Sequence, residues 1–327
     1  VIQISVFGIL FLISLFIWNY MLVGRNNKGV TETSQATIPL LTVSADGKNI
    51  NQLHGYQGSV DASLIRDSIT PIYENEVKVM LTYAKSDVSV VSYKIYDTDN
   101  KTILGNGDTA FHKVKGKKTA NIKIKERLEN GKTYLMELSV KQNDKTIRYF
   151  TRVIYGTSFH LKECLDFAQD FHAKTLEKNS QEELKNYLET SAEGDNTTYQ
   201  TVTIHSDADH VTWGNLSPQV VEEPEWSIKE SNSVYTSLLA QYQVTCAGDT
   251  GEIETYDVRE FFRIRYVQGE IYLLDYNRKM EQIFDANQKV LDQNGILLGI
   301  ASSDILYETN SSGNIVSFVR NGNLWTY

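Results

Sequence analysis

The first 23 residues, Val1–Val23, carry no charged side chain, and this uninterrupted run limits what the chain can fold into more than any other feature. An α-helix rises about 1.5 Å per residue, so a helix of this length crosses the ~30 Å hydrocarbon core of a bilayer. A helix that is largely apolar all round belongs in a membrane or in the core of a large protein. The run therefore predicts a transmembrane helix over 1–23.

The residues that follow this run bear on its direction in the cell membrane. Trp18 and Tyr20 lie near its end, where aromatic side chains favour the membrane surface. Arg25 and Lys28 come next, and by themselves they favour a cytoplasmic position for the rest of the chain. The β-rich character of the rest favours the outside, and we predict a single-pass anchor with the bulk of the chain extracytoplasmic. A cleaved signal peptide is the alternative, but the run is longer than such peptides need and no A-x-A-like site follows.

The segment 38–156, which follows a polar linker over 24–37, has the pattern of short strands separated by turns. Apolar and polar residues alternate over Glu76–Tyr83 and again over Thr119–Lys125, which is typical of strands with one buried face. The sequence predicts an antiparallel β-sandwich here. The segment GKTYLMELSVKQ resembles the late strands of immunoglobulin-like and fibronectin type III-like domains.

The composition changes over 157–285. Apolar residues at helical spacing predict a helix over Ser158–Leu176 and a second helix over 181–188 with Ser180 as its cap. Strands are predicted after it, including Val211–Trp213 and two long final strands. This α+β plan resembles the NTF2-like superfamily, and the residues that carry the resemblance are REFFRIRYVQGEIYLLDYNRKME, over 259–281. The resemblance implies a cone-shaped sheet with a pocket between helix and sheet, used by binding modules and by enzymes.

The last segment, 286–327, contains short strands separated by Ser-Ser-Gly-Asn and by Asn321-Gly322. With its Gly-Asn-Leu-Trp sequence it resembles the start of a TolB-like or WD40-like β-propeller blade. One blade cannot close a propeller. Either further blades follow in a longer protein, or this segment packs on the preceding domain. The whole arrangement resembles bacterial single-pass cell-surface proteins.

Side chains on the last long strands are candidates for lining the pocket that the NTF2-like resemblance implies. They are Tyr266, Tyr272, Asp275, Tyr276 and Arg278. The alternative for the two charged residues is a cross-strand ion pair on an exposed face.

Two further groups of residues are weaker candidates for a site. His205, Asp207, Asp209 and His210 lie within six residues and have metal-binding side chains, but an acidic turn between strands is favoured and no metal is predicted. Cys164 and Cys246 either form a disulfide outside the cytoplasm or are separate buried thiols. His160 and His172 are expected to be surface or partly buried polar residues.

The net charge of −9 opposes nucleic-acid binding, which needs a basic face. The basic stretch Lys113–Lys118 is typical of a solvated hairpin turn, with a phosphate- or lipid-binding patch as the alternative. No known catalytic motif is present, so neither an enzyme nor a cofactor is predicted. We expect a membrane-anchored binding or scaffolding protein with protein or cell-wall partners. The alternatives are an NTF2-like small-molecule sensor or enzyme, and a stalk that spaces a propeller from the membrane.

Overall fold

A computed structural model describes Ser14 and residues 38–45, 47–58, 60–61, 67–84, 87–97, 101–156, 159–248, 251–285, 295–296, 306–320 and 323–326. Apart from Ser14, the transmembrane helix predicted over 1–23 lies outside the described residues. Within these ranges, no helix combines the length and the hydrophobicity that are needed to cross a membrane.

The chain is mostly β-sheet and divides into two compact units. One unit comprises residues 36–282, and the other comprises 1–35 together with 283–327.

The first half of the larger unit is a β-sandwich, as the alternating sequence pattern predicts. Its described strands are β1 (Leu40–Ala45), β2 (Lys48–Leu53), β3 (Ile69–Ile72), β4 (Glu76–Thr82), β5 (Val90–Tyr96), β6 (Ile103–Ala110), β7 (His112–Val114), β8 (Lys117–Lys123), β9 (Thr133–Gln142) and β10 (Lys145–Tyr155). They form one sheet in the order β2-β1-β4-β8-β7 and a second in the order β3-β10-β9-β5-β6. Val77, Val79 and Leu81 are buried between the sheets, while Lys78 on the same strand is exposed.

The second half of this unit packs a helix on a third sheet. Helix α1 (Leu161–Thr175) is followed by a 3₁₀ turn (Lys178–Ser180), α2 (Gln181–Leu184), another 3₁₀ turn (Lys185–Tyr187), β11 (Thr201–Thr203), α3 (Ala208–Val211), β12 (Gln219–Val220), β13 (Glu225–Ser231), β14 (Thr236–Ala247), β15 (Ile253–Val267) and β16 (Glu270–Gln282). The sheet order is β11-β16-β15-β14-β12, and β13 also pairs with β14. The apolar stripe of α1, which includes Leu165, Ala168 and Phe171, lies against this sheet in one core.

Two local predictions in this half are wrong. Ser180 does not cap α2, because its hydroxyl donates to the Glu177 carboxylate instead. The strand expected over Val211–Trp213 is the end of α3 and the turn after it. Asp207 initiates that helix, since its carboxylate accepts the backbone N–H of His210.

The sandwich and the α+β half are packed into one unit at the buried edge of β13. Asn51 on β2 accepts the backbone N–H of Ile228 at 2.8 Å, and Arg152 on β10 donates to the carbonyl of Lys229 at 2.8 Å. A buried sheet edge needs such partners, because an unpaired backbone group away from water costs free energy. The predicted domain boundary at 156/157 falls within this unit.

Apolar contacts continue across the same junction. Ala45, Ile50, Ile69 and Ile154 of the sandwich share one core cluster with α1 and the third sheet. Lys48 forms an ion pair with Asp166 on α1 at the rim of this cluster.

The smaller unit contains an antiparallel three-stranded sheet among its described residues. Its strands are β17 (Tyr307–Thr309), β18 (Val316–Arg320) and β19 (Asn323–Thr326), in that order. Phe284, Phe318 and Trp325 pack together on it, with ring centroids 4.9 and 5.4 Å from that of Phe284.

Replacing Asn51 with Ala tests the junction. Asn51 is fully buried, has a φ of 50°, and also donates from Nδ2 to the carbonyl of Ile69 at 2.9 Å. Asn51→Ala leaves buried backbone groups unpaired and places Ala in the left-handed region of backbone conformation. We therefore expect the free energy of unfolding to fall by about 2–4 kcal/mol. Urea denaturation measures this change. Asn49→Ala, an exposed site on the same strand, is the matched control and should change stability by less than about 0.5 kcal/mol.

Candidate functional site

Six polar or aromatic side chains meet inside the α+β half, on the side of the sheet that faces α1. They are His172 from α1, Trp213 after α3, Tyr242 from β14, Glu260 from β15, and Tyr276 and Arg278 from β16. Alternation along each strand points these residues inward together with Val258 and Phe262. The strand register places Glu260 directly between Ala240 and Arg278. We call this group the buried polar cluster.

Glu260 is the centre of the buried polar cluster. One carboxylate oxygen contacts Nδ1 of His172 at 2.5 Å, and the other accepts the hydroxyl proton of Tyr276 at 2.8 Å. Glu260 is fully buried, and His172 is nearly so. A buried charge is tolerated only when it is paired and hydrogen-bonded, and both conditions hold here.

The charges of this pair shift their protonation equilibria in opposite directions. Burial alone raises the pKa of Glu260, but His172, Arg278 and the Tyr276 hydroxyl outweigh it, and the pKa lies below the ordinary value. Burial alone lowers the pKa of His172, but the facing Glu260 carboxylate outweighs it and raises the pKa. Both residues are therefore charged over the pH range between their ordinary values.

Arg278 links the cluster to helix α3. Its two terminal nitrogens donate to the carbonyls of Val211 and His210 at 2.7 and 2.8 Å. These bonds pair carbonyl groups that the end of a helix otherwise leaves without a partner. Its guanidinium lies 3.7 Å from the centre of the Trp213 ring, a cation–π contact. Arg278 thus holds α3 and the following turn against the sheet.

The space beside the cluster is filled with aromatic rings. Phe171, Phe262 and Tyr276 pack with centroid separations of 5.0–5.8 Å. A cavity of about 10 Å³ lies near one end of α1, lined by Cys164, Tyr266 and others, and has room for about one water molecule. This packing surrounds the Glu260–His172 pair, and only 9% of the His172 side chain is exposed.

The pocket residues predicted from the sequence are divided between the two faces of the sheet. Tyr276 and Arg278 point inward and are fully buried, whereas Tyr272 is exposed and Asp275 is half-buried. A β-bulge between Leu273 and Asp275 reverses the alternation, so Tyr272 and Tyr276 do not share a face. Both charged residues face an opposite charge across the strands, since Asp275 lies opposite Arg263 and Arg278 lies opposite Glu260. Arg278 does so inside the core and not on an exposed face.

The weak metal candidates have structural contacts. Asp207 bonds to the His210 ring at 2.9 Å, and that ring stacks on Tyr199. Asp209 accepts from Gln181, and His205 contacts the carbonyl of Glu189. Across the described residues, no group of three or more His, Cys, Asp or Glu side chains is arranged to hold a metal ion.

The remaining candidates are the cysteines and two histidines. Cys164 and Cys246 are buried free thiols in different core clusters, and burial raises the pKa of Cys164 to about 11. His160 is exposed and packs on Tyr266 with ring centres 4.4 Å apart, as expected for a surface residue. The expectation for His172 is wrong, because Glu260 pairs with it inside the core.

Sequence reasoning missed Glu260, Tyr242 and Trp213. Glu260 had a recognisable signal: it is a charged residue at an inward position, flanked at i±2 by Val258 and Phe262. Its partner has no such signal, since His172 lies 88 residues away on a helix.

No protein-family model matches this chain, and no curated protein matches it either.

Replacing Glu260 with Gln tests the pair through the pH dependence of stability. The raised pKa of His172 stabilises the wild type fully below about pH 6.5, and this contribution is lost as the pH rises through the folded-state pKa. The lowered pKa of Glu260 adds to folding stability above about pH 4.5, and this contribution is lost on further acidification. In Glu260→Gln, His172 is buried without its counter-charge, and its protonation opposes folding.

We therefore expect Glu260→Gln to lower the free energy of unfolding by about 3–5 kcal/mol at pH 6 and by clearly less at pH 8. Urea denaturation at both pH values gives the difference. Glu270→Gln, at an exposed position of the same hairpin, is the control and should cost the same small amount at both. An equal cost of Glu260→Gln at pH 6 and pH 8 would contradict the paired charges.

Proposed function

We propose that this chain is a membrane-anchored scaffolding protein of the bacterial cell envelope that has no catalytic centre. Its bulk lies outside the cytoplasm, and it binds protein or cell-wall partners. The uncharged run over 1–23 is the proposed anchor.

The observation that carries the proposal is the junction between the two halves of the larger unit. A binding module on a flexible joint needs no such contacts. Here the edge of β13 is satisfied by side chains of the sandwich, and one apolar core crosses the junction. This packing holds the α+β half in a fixed orientation on the sandwich, which suits a scaffold.

The two ends of the sandwich support the same proposal. Leu40, the first residue of β1, lies opposite Thr82, and its neighbour Leu81 lies opposite Lys118. We call this end the proximal end, because the chain reaches it directly from the linker. The α+β half packs on the other end, around Ala45 and Ile154. Six-residue strands such as β1 span roughly 20 Å, so the sandwich would act as a spacer.

The family resemblances add to the proposal without deciding it. A helix packed on a curled sheet fits the NTF2-like plan, and many members of that superfamily are assembly modules. The two-sheet sandwich fits the immunoglobulin-like and fibronectin-like resemblance. The strands β17–β19 fit the opening of a propeller blade.

A small-molecule sensor is the second candidate, and one observation favours it. The Nε1 atom of Trp213 and the Nε atom of Arg278 are buried without a hydrogen-bond partner. Such donors are commonly satisfied by a ligand or by water. The aromatic packing around Phe171 and Phe262 leaves little room for a ligand, so scaffolding is the better-supported function.

Thiol labelling of intact cells tests the proposed location. Lys125 is exposed, whereas Cys164 and Cys246 are both buried. We expect a membrane-impermeant maleimide to label Lys125→Cys in intact cells, and the protein to remain in the membrane after carbonate extraction. The unmodified chain is the control and should be labelled only after denaturation. Labelling of Lys125→Cys only after lysis would overturn the extracytoplasmic location.

A further inference from the structure

A dense group of lysines projects from the proximal end of the sandwich. Strands β7 and β8 form a hairpin whose turn residues, Lys115 and Gly116, have φ values of 47° and 81°. Lys113, Lys115 and Lys117 are all exposed. Lys113 lies directly across the hairpin from Lys118, an arrangement of like charges that costs stability. The Lys118 ammonium donates to the carbonyl of Val88, and the other lysines concentrate positive charge at this end of a chain whose net charge is −9.

Two apolar side chains are exposed among these cations. Val114 at the tip of the hairpin is 53% exposed, and Tyr83 after β4 is 73% exposed. A groove of about 420 Å³ separates Tyr83 from Lys113 and Lys117. We call Tyr83, Lys113, Val114, Lys115 and Lys117 the basic tip. Exposed apolar groups surrounded by lysines are typical of surfaces that rest on a membrane.

The acidic groups near the basic tip are few. Asp87 accepts the backbone N–H of Asn143 at 2.8 Å, and Asp144 is 3.5 Å from Lys141. Lys145, at the start of β10, adds a further exposed cation. The net charge of the described part of this end is therefore positive.

The strand register fixes where the basic tip lies relative to the start of strand β1. Strand β1 starts, β4 ends and β8 starts at the same end of one sheet, because Leu40 pairs with Thr82 and Leu81 pairs with Lys118. The linker over 24–37 joins this end to the uncharged run. The 14 residues of this segment reach at most about 50 Å when fully extended. A membrane that holds the run is thus within reach of the tip.

We infer that the basic tip docks on the anionic phospholipid headgroups of the membrane that holds the chain. This inference rests on the proposed anchor. Lys113, Lys115 and Lys117 contact lipid phosphates, while Val114 and Tyr83 enter the interfacial region. Attraction of each lysine to an anionic surface is worth about a fivefold gain in affinity. Docking orients the sandwich upright and sets the height of the α+β half above the membrane.

A polarity-sensitive fluorophore on Val114→Cys tests the inference in the full chain, reconstituted into vesicles. One set is pure phosphatidylcholine, and the other contains a quarter phosphatidylglycerol. We expect a blue-shifted emission only with phosphatidylglycerol, and its loss in high salt, which screens exposed charges. Changing Lys113, Lys115 and Lys117 to Gln together should weaken docking about 100-fold. The same change at Lys78, Lys125 and Lys279, which are exposed elsewhere, is the matched control and should leave the shift intact.

Vesicle flotation separates this inference from the proposed anchor. If the chain floats with both vesicle types but the fluorophore emission is not blue-shifted with either, the proposed anchor is supported and the docking inference is wrong. If the chain floats only with phosphatidylglycerol vesicles and the triple Gln variant does not float, the anchor is wrong and the basic tip still binds anionic lipid. A blue shift that persists in the triple Gln variant would also overturn the docking inference.

Discussion

The structure of the larger unit depends on how the edge of β13 is buried. A sheet edge presents unpaired N–H and C=O groups, which must reach water or find protein partners. Here Asn51 and Arg152 provide those partners from the sandwich, at 2.8 Å each. Because these contacts are directional, they fix the orientation of the two halves, while the apolar cluster around Ile50 and Ile69 supplies the burial. Two halves with different architectures thereby form one unit.

The interior of the α+β half holds a hydrogen-bonded group of charged and aromatic side chains. Glu260 and His172 are paired, Arg278 covers Trp213, and aromatic rings fill the adjacent space. This network joins α1 to the sheet through His172 and joins α3 to it through Arg278.

The sequence predicted elements well where one pattern dominated. Alternation identified β4 and β8, and helical spacing identified α1. Prediction from the sequence failed where a local hydrogen bond competed with the pattern. The bond from the His210 N–H to the Asp207 carboxylate starts helix α3, where a strand had been predicted. The pocket prediction failed in part because a single bulge residue near Leu274 reverses the faces of Tyr272 and Tyr276. No periodicity in the sequence marks that bulge.

By itself the sequence determined the β-rich class, the helix that covers the third sheet, and the basic hairpin, because each follows from residues that are neighbours along the chain. Only the tertiary structure decided which polar residues meet. His172 and Glu260 are 88 residues apart, and Asn51 and Ile228 are 177 apart. Through its pairing with β4, the tertiary structure also placed the hairpin at the same end of the sheet as the start of β1. Such pairings depend on the free energy of the whole packed core, so a local pattern does not encode them.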